Sequence, residues 1–209
     1  MRNLESIRKR GDKMATIGLS RPYFAVYSNS GSVVSYSGGG VLGKYTELDI
    51  SLDTNNNVFY ADNAPAETDD QFTSGTVTIT TDDLRPDIMV DVFGVQSVAI
   101  AVTDVATTDA AWLVYNDSQA IPYLGIGGIA KKKVDGAVKY VGIVLDKVKF
   151  RNVNDSITTQ GETIEWQTPQ IVGDIFRSDK TSHDWKRVTT LLDTEDEAAA
   201  AIKDYLNIT

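Results

Sequence analysis

From Thr46 to Asp53 the sequence reads TELDISLD, an order that a helix cannot use. Leu48, Ile50 and Leu52 recur at every second residue, alternating with Glu47, Asp49, Ser51 and Asp53. Successive side chains on a strand point to opposite faces, so this order makes one apolar and one acidic face. Wound at 3.6 residues per turn, it would scatter the apolar groups around the cylinder. The stretch predicts a half-buried strand with an acidic open face. TVTIT at 76–80 repeats the alternation with threonines outward.

Most of the chain follows the same rule. YFAVYS at 23–28 is aromatic and β-branched and runs into the turn SNSGS, and VVSYSGGGVL follows with glycines at 38–40. SVAIAVTD, AAWLVYN and IPYLGIGGIAKKK are further apolar runs. Asp135-Gly136 predicts a tight hairpin turn between two long arms, and a phase switch near Asp146 in the second arm reads as a bulge. ETIEWQTPQIVGDIF and WKRVTTLL supply two more strands, the first interrupted or placed at an edge by Pro169.

Two segments change period. Leu84, Ile88 and Val92 fall at helical spacing, with Asp82 or Asp83 suited to the N-cap, Pro86 in the first turn and Gly94 just past the end. A helix of about three turns is expected there. At the C-terminus Thr194 and Glu197 form a capping box ahead of four consecutive alanines, which predicts a helix over 194–207. Its large apolar residues, Ile202, Tyr205 and Leu206, make a narrow stripe, so the helix is expected to lie on the body. The fold class is therefore mainly β, sandwich- or barrel-like, with one flanking helix after the first strands and one C-terminal helix.

Between two strand signals, residues 53–75 turn polar, acidic and Pro-containing (NVFYADNAPAETDDQFTSG from Asn57), and read as a long loop. Loops of this length inside a compact domain are functional or disordered. Its candidate contact residues are Phe59, Tyr60, Asp62, Asn63, Pro65, Glu67, Asp69, Asp70 and Phe72. The expected organisation is an N-terminal arm, 1–16, with more basic than acidic residues, followed by one domain over 17–209.

Composition limits the chemistry. The net charge of −9 argues against a surface that grips phosphate. There is no cysteine and hence no thiolate site, and His183 stands alone in a polar turn, which favours a solvated side chain over a base. GIGG at 125–128 lacks nucleotide-binding spacing and reads as a strand approached closely by another backbone. DTNNN and ETDD could offer oxygens to calcium, but the EF-hand pattern is absent. Trp112, Trp166 and Trp185 are assigned to the core. No enzyme site, cofactor, apolar membrane span or secretory signal is expected. Lys131, Lys132, Lys133 and Lys139 gather around one hairpin as a candidate basic patch, with Lys147, Lys149 and Arg151 nearby. In so acidic a chain, such a patch could meet the acidic loop of a second copy. Glu47, Asp49 and Asp53 are candidates for a solvent-facing or lumen-facing acidic surface.

The order IGLSRPYFAVYS, LGKYTELDISLDTNNNVFYADNAPAE and FTSGTVTITTDDL resembles the major tail proteins, the tail-tube subunits, of long-tailed bacteriophages of the siphophage type from Gram-positive hosts. The likeness is most specific from Ile17 to Gly94, and the stretch before Met14 is not part of it. The resemblance implies hexameric rings stacked into a tube, with strands of successive subunits closing a β-barrel lumen and long loops and arms joining the rings. It implies as partners other copies of the chain, a tape-measure protein, a tail terminator and distal tail or baseplate proteins. Double-stranded DNA would pass through the lumen without specific binding. The implied location is the virion, after synthesis in the host cytoplasm. The tube of a contractile tail or a tail-derived bacteriocin stays open as a variant, and a monomeric β-sandwich ligand-binding module as the alternative class.

Overall fold

The computed structural model describes residues 13–61, 64–100, 110–154, 159 and 167–209, with backbone alone at 55–61, 64–71 and 110. Its centre is one antiparallel sheet in the order β2-β1-β7-β8-β9-β4-β3, with β10 also paired to β8. These strands are β1 (Met14–Ser30), β2 (Val33–Val41), β3 (Tyr45–Ala61), β4 (Ala64–Thr81), β7 (Leu124–Val134), β8 (Ala137–Phe150), β9 (Gln170–Phe176) and β10 (Lys186–Val188). A separate two-stranded ribbon pairs β5 (Gln96–Ile100) with β6 (Ala110–Val114). The mainly β class with a mid-chain and a C-terminal helix is observed.

Alternation along the strands divides the interior in two. Phe24 of β1, Val77 and Ile79 of β4, Ile126 of β7 and Ile171 of β9 share one cluster, although their strands are spread across the sheet. The sheet therefore curls over its own inner face, and the Tyr45 hydroxyl of β3 donates to the Gly127 carbonyl of β7 at 3.1 Å across the curl. Helix α1 (Pro86–Phe93) adds Ile88, Met89, Val92 and Phe93 to the same cluster. On the other face of β1, β7 and β8, Tyr23, Ala25, Ile129 and Val144 pack under helix α2 (Glu195–Tyr205).

The bulge near Asp146 makes both clusters reachable from one strand. Leu124 pairs with Val148 and Ile126 with Leu145, so β8 carries one extra residue there. The inward parity changes accordingly, from Leu145 to Val148 and Phe150. Asp135 and Gly136 both have positive φ, 50° and 89°, as the expected tight turn requires.

Helix α1 is shorter than expected. It has eight residues, its N-cap is Arg85 without a side-chain cap, and Pro86 opens it. Asp82 and Asp83 serve the approach instead: Asp82 Oδ1 accepts from the Lys44 and Asp83 amides, and Asp83 Oδ1 from Leu84. Gly94 ends the helix in the left-handed region, φ 65°. In α2 the Thr194–Glu197 capping box is present in both directions. The glycines of GIGG are close-approach sites, but the visitors are side chains. A Cβ on Gly127 would lie 2.5 Å from Ile202 of α2, and one on Gly128 2.9 Å from the Tyr45 ring.

Two expected boundaries move. Met14, Ala15 and Thr16 belong to β1, paired with Val134, Lys133 and Lys132, so the arm ends before Met14. The stretch 53–75 is a β-hairpin and not a loop. Asp53 pairs with Ser74, Asn57 with Asp69 and Ala61 with Ala64, which carries β3 and β4 far beyond the sheet. β9 pairs with β4 only over Gly75–Thr80, so among the described residues the distal ribbon has just two strands. Its sequence shows no apolar alternation, and a strand without alternation reads as a loop.

Candidate interaction surfaces

Four surfaces stand out. The first is the β3–β4 ribbon. From Gly75 to Ala64 it extends on the order of 35–40 Å along β4 at about 3.4 Å per residue. Phe59, Tyr60, Pro65, Glu67, Asp69 and Asp70 lie along it by backbone position, while Asp62 and Asn63 fall outside the described residues. Phe72 marks its root. The Phe72 ring stacks on Trp185 with centroids 4.5 Å apart and planes within 10°, and the Arg177 guanidinium donates to the Phe72 carbonyl. Phe72 thus fastens the ribbon to the body.

The second is the outer face of β3 and β4, which no helix covers among the described residues. Glu47, Asp49 and Asp53 are exposed there, across from Thr80, Thr78 and Ser74. The Ser74 hydroxyl donates to Asp53 Oδ2 at 3.1 Å. Among the described residues Glu47 and Asp49 have no ion-pair partner. Val77 and Ile79 are fully buried on the inner face, so the alternation read from the sequence is the one that folds.

The third is the ribbon formed by the start of β1 with β7 and β8. The expected lysine patch is split across it. Lys132 and Lys139 are directly opposed and share one face; Lys131 and Lys133 lie on the other, opposite Tyr140 and Val138. Period two separates neighbours that a linear reading groups together. Lys139 is also committed to Asp193, whereas Lys131, Lys132 and Lys133 carry no ion pair among the described residues. Lys147 is bound to Asp179 at 2.7 Å, and Arg151 to Asp174 at 2.6 Å.

The fourth is the β5–β6 ribbon, whose outer side presents Val98, Ile100 and Trp112, each more than two-fifths exposed. Trp112 is therefore not a core residue, Trp185 is partly buried, and Trp166 falls outside the described residues.

Beneath α2 lies a polar cluster that sequence reading passed over. The Asp146 side chain is fully buried on the bulge. Its carboxylate accepts from Tyr205 of α2 at 3.1 Å and from Arg187 of β10 at 3.3 Å, and its carbonyl accepts from Tyr36 at 2.9 Å. Burial raises its pKa against the opposing pull of Arg187, Lys180 and Tyr205. Nearby, Asp179 is held below the usual carboxylate range by hydrogen bonds from Lys147 and Tyr27. The bulge was the available signal: an extra residue in a strand re-aims a side chain.

Catalytic and metal chemistry find little to work with among the described residues. His183 is exposed, and its Nδ1 lies 3.3 Å from the Ser178 carbonyl. The Ser182 hydroxyl donates to Asp184, not to His183. No three His, Asp or Glu side chains gather as metal ligands would. A groove of about 710 Å³ runs between α1, β6 and the chain after β8, with Leu84, Met89, Leu113 and Pro169 among its lining. Among the described residues no helix is long and apolar enough to cross a membrane. No protein-family model matches the sequence, and a search of curated proteins returns no match.

Proposed function

We propose that the chain is a self-assembling structural protein, a tail-tube subunit of the kind its sequence resembles. The observation that carries this reading is the long β3–β4 ribbon, which continues past Gly75 and pairs with no third strand among the described residues. A ribbon of two strands is marginally stable in water at best, and an arm of this reach gains stability from a neighbour. The sheet adds a second argument. Among the described residues its outer strands β2 and β3 each have one hydrogen-bonded neighbour, and unpaired edges invite pairing with another chain. An interface that closes head to tail makes a ring, and stacked rings make a tube.

In this reading β2 of one copy approaches β3 of the next, and the β3–β4 ribbon reaches the adjacent subunit or ring. The charge of −9 suits a conduit for DNA, because an acidic wall repels phosphate where a cationic one would hold it. The tape-measure, terminator and baseplate partners, the virion location and the contractile variant rest on the resemblance and belong to the same proposal. A second reading, a monomeric β-sandwich that binds a ligand, draws on the groove beside α1. Sedimentation velocity across a hundredfold concentration range separates them. Growth into rings or longer polymers supports the tube, and one small species throughout refutes it.

A further inference from the structure

Two pairs of charges without an ion-pair partner among the described residues sit on separate strands with the same spacing. Lys131 and Lys133 share one face of β7, and Glu47 and Asp49 share the open face of edge strand β3. Both pairs are two residues apart on a strand, so each spans roughly 6.5–7 Å. None of the four has an ion-pair partner among the described residues, whereas Arg21, Lys139, Lys147 and Arg151 are each paired with an acid. Two copies that each carry −9 repel unless their contact opposes unlike charges.

We propose that the Lys131/Lys133 face of one copy docks on the Glu47/Asp49 face of a second copy. This assignment rests on the self-assembly reading and deepens it, and it puts these acids in a contact between copies and not on a lumen wall. The matched pitch sets the register of the contact: two lysines meet two carboxylates in one alignment, and a shift by one residue opposes nothing. Exposed ion pairs contribute modestly to affinity and more to partner choice, encounter rate and alignment. A second copy fits better than a nucleic acid here, because the rest of so acidic a surface repels phosphate.

The test is a charge swap in the full chain. Lys131→Glu with Lys133→Glu forms one variant, Glu47→Lys with Asp49→Lys a second, and all four substitutions a third. Each is checked for an unchanged thermal melt and then followed by sedimentation as concentration rises. Each double variant is expected to raise the concentration at half-assembly about tenfold or more, as like charges replace unlike ones. The fourfold variant is expected to return within about threefold of wild type. Wild-type assembly should also weaken as added salt shortens the Debye length from about 10 Å at 0.1 M to about 3 Å at 1 M.

Double variants that assemble like wild type, or a fourfold variant that fails to recover, overturn the inference alone. A wild-type chain that never assembles overturns the self-assembly reading and this contact with it. Retention on immobilised heparin that is lost with Lys131→Glu and Lys133→Glu, while assembly is unchanged, would mean that the lysines meet a polyanion instead.

Discussion

Excising residues 57–69 and joining Asn56 to Asp70 through an Asn-Gly turn separates the ribbon's role in assembly from its role in folding. Asn56 and Asp70 are already cross-strand partners, and Asn-Gly suits the two positive φ angles of a type I′ turn. The cut leaves the sheet intact, because the last β4 residue paired to β9 on that side is Gly75. It also spares Phe72, with its Trp185 stack and the Arg177 bond to its carbonyl. What is removed is two-stranded ladder, marginally stable in water. A shorter connection also closes at less entropic cost, about 0.6 kcal/mol for each halving of length. The monomer should therefore stay within about 1 kcal/mol of wild type, or about 2–4 °C in Tm for a chain of this size. Thermal denaturation by circular dichroism reads that value, and sedimentation of the same sample reads assembly. A longer cut that also removes Phe72 should cost a further ~2–3 kcal/mol, from lost aromatic burial and stacking. A 57–69 variant that unfolds, or one that polymerises as well as wild type, refutes the reasoning.

Two further predictions concern the body of the domain. Because burial raises the pKa of Asp146, the fold binds its proton more tightly than the unfolded chain, whose value is near 3.8. Its contribution is thus least favourable at neutral pH, improves as pH falls through the raised folded value, and is fully gained below 3.8. Wild type should gain stability relative to Asp146→Asn as pH falls from 7 toward 4, read by denaturant melts of both. The opposing loss from Asp179, whose pKa is lowered, is common to the two proteins, and a relative loss by wild type would mean that the Arg187 attraction outweighs burial. Gly127→Val should lower stability by about 2–4 kcal/mol or displace α2, because the added Cβ alone would sit 2.5 Å from Ile202. A change below about 1 kcal/mol in a chemical melt would show that α2 yields freely.

The legible parts of this fold are those where a local rule and the tertiary environment agree. Leu48 and Ile50 alternate with exposed acids because β3 has one core face, and Thr194 with Glu197 announces α2 because a capping box is complete within four residues. Asp135-Gly136 and Gly94 mark backbone turns that are local as well. The errors arise where the deciding partner is distant. The β3–β4 ribbon hides its strands because its sequence lacks apolar alternation where no third strand pairs with it among the described residues. Asp82 and Asp83 look like caps, but Asp82 is taken by the Lys44 amide from the distant connection between β2 and β3. Lys131, Lys132 and Lys133 read as one patch until the pleat divides them. The sequence marks a phase switch near Asp146 but not its burial, which depends on distant Tyr205 and Arg187. Of the candidate surfaces, sequence located the exposed acids of β3, took the β3–β4 hairpin for a loop, and missed the exposed β5–β6 ribbon, whose apolar residues look like core.

The central claim, that this chain builds a tube, is tested most directly by negative-stain electron microscopy of the purified protein at high concentration. Rings of sixfold symmetry, or tubes made by stacking them, are the predicted result. Isolated single subunits at every concentration, with no rings even after prolonged incubation, would contradict it.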